Sequence, residues 1–360
     1  MMAPGKALCT AALAAFLALG GLPSAAVAQT VGQSLQETCG KLGIIDGCDV
    51  INEAAKMLHP SYEVKDPKIG EQALIDLGYF ARYVPTKAGS LQARINVFLA
   101  AQKGSNRIYI ILTGTQSSRD WLENAKYHAF TATYKDGEFY TPPGHAGFRR
   151  GMLSIVNGGL FKINEYDDSG INCSALPNSA SLISHFICDS GVQDGKGKPI
   201  NTIIVGHSRG SAIGQIIVPI VDGFEFKSLS DGSVKVGRQN HWPLRLQALI
   251  GFAPPYAVYA KTDREVGLKV PAGVPDQWQF LKDQGYFNKT VLFIDDRDAV
   301  PLASLGHGRH FGYRYRITGY GAVLFDGQCW GPVVSTVGAH SHLGYAEAVL
   351  AQKPAVEHCD

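Results

Sequence analysis

A glycine-bracketed pentapeptide, Gly206-His207-Ser208-Arg209-Gly210, follows directly on the apolar run Thr202-Ile203-Ile204-Val205 and constrains this chain more than any other feature. A helix-compatible segment, Ser211 to Val221, comes next. A strand that reverses into a helix within a few residues needs a residue that bends freely and one that lets the helix pack close. Glycine supplies both. The serine between them is left with its hydroxyl exposed at the edge of a sheet. Such a turn belongs in an α/β protein, and the rest of the chain agrees.

Gln33 to Leu58 and Gly70 to Tyr83 read as helices, giving a helical N-terminal segment over 29–85. Leu91 to Ala100 and Arg107 to Leu112 are apolar and β-branched, and read as strands. His145 to Ile155 opens a helix. The stretch Glu165 to Lys198 is rich in Gly, Ser and Asn and reads as a loop-rich insertion with one short helix at Leu182 to Phe186. Phe224 to Trp242 reads as a hairpin turning at Asp231-Gly232. Leu246 to Phe252, Thr290 to Ile294, Gly312 to Ile317 and Ala322 to Phe325 read as further strands, the last two at an edge. A helix over His342 to Leu350 closes the chain. Alternating strands and helices predict a mainly parallel sheet covered by helices. No linker composition interrupts it, so residues 29–360 read as one domain.

The first 28 residues read as a cleaved export signal. Lys6 supplies the positive start, Ala11 to Leu22 the apolar stretch, and Ala26-Val27-Ala28 the small-x-small cleavage pattern. The expectation is a secreted or periplasmic protein. Its net charge of +2 is too small to imply nucleic-acid binding. Once Cys9 departs with the signal, Cys39, Cys48, Cys173, Cys188, Cys329 and Cys359 remain. An even count in an exported chain favours disulfides. Sequence neighbours pair them as Cys39–Cys48, Cys173–Cys188 and Cys329–Cys359. No C-x-x-C or H-E-x-x-H points to a metal.

A serine hydroxyl becomes a nucleophile when an imidazole takes its proton and an acid holds that imidazole in one tautomer. After the strand at 290–294, Asp295, Asp296 and Asp298 all qualify as the acid by position. His340 and His342 compete as the base, with His307 and His310 behind them. The developing oxyanion needs backbone donors. One is the N–H of Arg209, after the nucleophile. The other falls in Thr113-Gly114-Thr115, which follows an earlier strand; there Thr115 offers an N–H and a hydroxyl.

Together these segments resemble the fungal-type (class 3) lipase family of α/β-hydrolases. Thr113-Gly114-Thr115-Gln116-Ser117-Ser118-Arg119-Asp120-Trp121 resembles that family's oxyanion and lid segment, R-G-[ST]-x-S-x-x-[DN]-W. His145-Ala146-Gly147-Phe148 resembles H-x-G-F, and Gly206 to Gly210 resembles G-H-S-L-G. Phe252-Ala253-Pro254-Pro255 resembles F-G-x-P-R, Arg297-Asp298-Ala299-Val300-Pro301 resembles N-D-x-V-P, and His342-Leu343-Gly344-Tyr345 resembles H-L-x-Y. The resemblance implies Ser208, Asp298 and His342 as a catalytic triad, and Thr115 and Arg209 as the oxyanion hole. It also implies a lid over Ser117 to Ala125, with Trp121 and Leu122 as its apolar, substrate-facing members.

On this resemblance the expected activity is lipase or carboxylic ester hydrolysis through an acyl-enzyme, which calls for no metal or organic cofactor. The expected partner is a lipid or other ester substrate, met at a lipid–water interface, with no nucleic acid and no stable protein partner. Phospholipases and short-acyl, aromatic or polyester esterases use the same triad, and a non-catalytic binding protein on a hydrolase scaffold is the remote alternative. Three departures bear on substrate. Arg209 replaces a leucine, Ser211 a glycine and Thr113 an arginine. The resemblance leaves the first hundred residues and both insertions uncovered.

Overall fold

The computed structural model describes residues 35–62, 66–86, 95–114, 130–131, 144–162, 171–192, 199–228, 234–258, 277–295, 298, 300, 310–318, 321–325 and 341–351. The expected signal, the lid segment, Thr115, Trp121, Leu122, His307 and His340, and the Cys329–Cys359 pair lie outside these residues.

An eight-stranded sheet forms the centre, in the order β1 (Phe80–Val84), β2 (Val97–Ala101), β3 (Arg107–Leu112), β6 (Ile200–His207), β9 (Leu244–Phe252), β10 (Thr290–Asp295), β11 (Tyr313–Thr318) and β12 (Gly321–Phe325). From β3 to β11 every neighbouring pair is parallel, and antiparallel strands close both sides. Two-residue strands β4 (Phe130–Thr131) and β5 (Gly144–His145) pair with each other. β7 (Phe224–Ser228) and β8 (Val234–Arg238) form a separate antiparallel hairpin, as expected over Phe224 to Trp242; its expected turn at Asp231-Gly232 lies outside the described residues.

Parallel strands covered on both faces carry apolar residues on both. Ile108, Ile110, Leu112 and Ile204 join one core with α4 (Ala146–Asn157), α5 (Leu182–Ser190) and α6 (Arg209–Val221). Tyr109, Ile111, Ile203 and Val205 point the other way, into a core shared with α2 (Gly47–Tyr62), α3 (Pro67–Asp76) and α8 (His342–Leu350). Along β9 the alternation changes phase. Thr202 of β6 faces Leu246, but Ile203 faces Ala248, so Gln247 is an extra residue that resets which side points where. Its amide donates to the carbonyl of Ile45 at 2.6 Å, tying the N-terminal segment to the sheet.

Val50, Ile51, Ala54, Ala55 and Leu58 make the buried stripe of α2, the spacing of a helix lying on a sheet. Its start is stapled. The four-residue α1 (Leu35–Thr38) runs into a tight turn at Cys39–Lys41, and Cys39 bonds Cys48, with Cα atoms 5.0 Å apart. A side chain at Gly47 would overlap the carbonyl of Cys39, with a Cβ only 2.5 Å away. The second expected pair, Cys173–Cys188, ties the short turn at Cys173–Ala175 to α5 within the same insertion.

The helix expected over Gly70 to Tyr83 is corrected. It ends at Asp76, and Phe80 to Val84 is an edge strand, so the N-terminal segment is not helical throughout. Gly78 takes φ +91°, where its amide returns to Ile75 and that of Tyr79 to Leu74. This is a helix stop that only glycine enters readily. The adjoining strand expected over Leu91 to Ala100 starts only at Val97, with residues 95 and 96 outside it, and 91–94 lie outside the described residues. A helix over Gln277–Asp283, α7, was not anticipated. No helix among the described residues is long and apolar enough to cross a membrane.

Candidate active site

Ser208 stands between the last residue of β6 and the first of α6, at φ 53° and ψ −126°, well inside the region L-residues avoid. Its amide donates to the carbonyl of Phe252 on β9 at 2.8 Å, and its own carbonyl accepts from Ala212 at 3.2 Å. Both ends of the strained residue are therefore tied, one to the sheet and one to the helix.

The bracketing glycines are required by contact. A Cβ on Gly206 would sit 2.6 Å from the backbone of Ser211, and one on Gly210 would run into the carbonyls of Leu112 and Thr113. That second contact seats the start of α6 against the end of β3, where the expected oxyanion loop begins. Thr113 is fully buried. Its amide and its hydroxyl both donate to the carbonyl of Asn96, at 3.0 and 3.2 Å, which ties the residue after β3 to the one before β2.

The other two departures also find their reasons. Ser211 needs room that a glycine would not, and β9 provides it at Gly251, where a Cβ would collide with the Ser211 hydroxyl. Arg209 is 2% exposed, and its guanidinium lies against Gly151 of α4 rather than in solvent. Its side chain thus runs back along the helix layer, leaving the backbone N–H at the helix N-terminus.

Among the candidate acids, Asp298 has its carboxylate bonded from the last helix. It is 1% exposed, its amide donates to the Asp295 carbonyl at 2.9 Å, and its Oδ1 accepts from Val300 N–H at 2.9 Å. The hydroxyl of Tyr345 donates to Oδ2 at 3.0 Å while accepting from the Asp295 amide at 2.8 Å. Burial, and then the Asp298 charge, push the Tyr345 hydroxyl well above its usual range, so it stays a proton donor. Sequence reasoning took Tyr345 only as part of a motif. Asp295 is buried at the end of β10, and Asp296 lies outside the described residues.

His342 is the first residue of α8, one turn before Tyr345. Its ring meets that of His207 edge-on, with centroids 6.2 Å apart and planes at 80°. His207 directly precedes Ser208 and also meets Tyr345 edge-on at 6.0 Å. The imidazole is thereby held at the elbow. His59, from the last turn of α2, lies nearly parallel to His342, with centroids 5.8 Å apart and planes at 18°. His310, the one rival base among the described residues, is buried and packed on Tyr256 at 4.2 Å. No cluster of metal-binding side chains occurs among the described residues.

No protein-family model matches the chain, and no curated protein matches its sequence. Solved structures do align with it. A lipase from Rhizopus microsporus var. chinensis aligns at 14% identity and a TM-score of 0.47, over 91% of this chain and 89% of that one. One from Yarrowia lipolytica aligns at 13% and 0.49, over 84% and 95%. A fungal lipase–inhibitor complex, described as a model for interfacial activation, aligns at 14% and 0.49, over 84% and 97%. The sheet order, the parallel centre and the strained serine between β6 and α6 are those of the α/β-hydrolase fold. That assignment stands on the chain's own geometry.

Proposed function

We propose that this protein is a serine ester hydrolase with Ser208 as nucleophile, His342 as base and Asp298 as the orienting acid. The observation that carries the reading is the strained Ser208, held at φ 53° between glycines that admit no side chain. Strain of this kind persists where the surroundings impose it, and it clusters at reacting residues. The carboxylate of Asp298, bonded by Tyr345 one helical turn after His342, supports the same reading.

In the proposed reaction His342 takes the Ser208 proton as Oγ attacks the ester carbonyl. Asp298 holds the imidazole and offsets the imidazolium charge, and the N–H groups of Arg209 and Thr115 receive the oxyanion. His342 then hands the proton to the leaving alcohol. Water, activated by the same imidazole, attacks the acyl-serine and releases the acid. No step calls on a metal or an organic cofactor.

The proposed substrates are lipid esters, taken at a lipid–water interface through a lid over Ser117 to Ala125 that carries Trp121 and Leu122. We take residues 1–28 as a removed export signal and 29–360 as one catalytic domain. Two disulfides among the described residues support an oxidising destination. A phospholipase or a short-acyl, aromatic or polyester esterase on the same triad is the second reading.

Initial rates on p-nitrophenyl esters from acetate to palmitate, with Ser208→Ala as control, test both. A maximum at long chains, lost in the variant, supports the lipase. A maximum at acetate or butyrate supports the second reading. A folded wild type that neither turns over any ester nor takes a fluorophosphonate on Ser208 overturns the enzyme reading in favour of a binding protein on this scaffold.

A further inference from the structure

We infer that His59 is a positioning residue for the base His342, a role that rests on the triad reading above. A catalytic imidazole must keep one plane through two proton transfers. An acid bonded to one ring nitrogen fixes the direction of the ring but leaves it free to rotate about that bond. A flat group packed on the ring face removes this rotation. His59 is placed to act this way, nearly parallel to His342 at 18° with ring centroids 5.8 Å apart, while His207 meets the same ring edge-on.

The placement is built into the fold. Helix α2 carries His59 in its last turn and buries Val50, Ile51, Ala54, Ala55 and Leu58 in the same core as Tyr345, Ala346 and Val349 of α8. The two helices share one apolar layer, so they shift together or not at all. The Cys39–Cys48 bridge fixes the start of α2, and Pro60, directly after His59, marks its final turn. The N-terminal segment, which matches no catalytic motif, thus supplies one wall of the site. A ring face is what the wall needs. Histidine and phenylalanine provide one, whereas leucine of similar volume does not.

The test compares full-length His59→Ala, His59→Leu and His59→Phe with wild type by ester kinetics, fluorophosphonate labelling rate and thermal unfolding. The expected result is a kcat about tenfold lower in the Ala and Leu variants, with KM within about twofold and a parallel fall in labelling rate. Small displacements of a reacting group cost rate on this scale or more. Phe should restore kcat to within about threefold, an aromatic-specific rescue that volume alone does not give. Full activity in His59→Ala overturns the proposal, as does equal rescue by Leu and Phe, or loss that tracks a lowered unfolding midpoint. His342→Ala separates this from the underlying reading. Labelling that collapses there but is kept in His59→Ala removes only the role of His59. Labelling undiminished in His342→Ala removes the triad assignment itself.

Discussion

At the scale of single residues, Ser208 carries a cost that other residues do not. At φ 53° and ψ −126° it holds backbone strain on the order of 1–3 kcal/mol. Glycine has no such penalty, so Ser208→Gly should unfold at higher denaturant than wild type while losing activity, whereas Ser208→Ala loses activity with little change in stability. Equal midpoints for the two variants in urea would remove the strain from the account. Tyr345 acts in the opposite sense, as a pure contributor. Its hydroxyl joins Asp298 Oδ2 to the Asp295 amide, and hydrogen bonds to charged groups contribute about 1.5–3 kcal/mol. Tyr345→Phe keeps the ring against His207 and removes that link. A fall in kcat of roughly ten- to a hundredfold, with KM nearly unchanged, is the expected outcome, and steady-state kinetics on one ester checks it.

At the scale of elements, the elbow helix and the sheet are fitted to each other at one point. Ser211 on α6 occupies the space above Gly251 on β9, with Leu292 of β10 beside it. Gly251→Ala forces an overlap that should cost about 1–3 kcal/mol. Adding Ser211→Gly should recover part of the loss, because the two sites share one contact and neighbouring substitutions couple. Additive midpoints in the double variant would mean that the overlap is relieved elsewhere. This contact also shows where the sequence could be read and where it could not. The elbow, the strands Arg107 to Leu112 and Thr290 to Ile294, and the helix His342 to Leu350 were legible because periodicity and glycine placement are local signals. The strand Phe80–Val84 was not. Helical spacing continues past Gly78, and only the positive φ there, together with pairing to β2, decides the matter. Tyr345 on Asp298, His59 on His342 and Ser211 on Gly251 join residues far apart in the chain, and no local pattern encodes such contacts.

At the scale of the whole molecule, one buried group ties the stability of the fold to pH. His310 is enclosed beside Tyr256, and neither ring nitrogen has a hydrogen-bond partner among the described residues. Burial, helped by the charge of Arg314, pushes its proton affinity down to about 3. An exposed histidine in the unfolded chain titrates near 6.5. Between these two values the unfolded chain binds a proton that the folded chain refuses, so stability rises with pH across the window. The contribution is fully present above about 6.5 and is lost progressively as pH falls toward 3. At pH 4.5 the loss should be on the order of 2–3 kcal/mol from this residue alone. His310→Phe keeps a ring on Tyr256 and has nothing to protonate. Its unfolding free energy should therefore fall less than that of wild type between pH 7.5 and 4.5, by that difference. Carboxylates elsewhere titrate alike in both proteins and cancel in the comparison. Urea midpoints of the two proteins at both pH values decide it. Parallel losses would mean that His310 gains its proton without unfolding the chain, and that its pocket opens to water locally rather than with the whole fold.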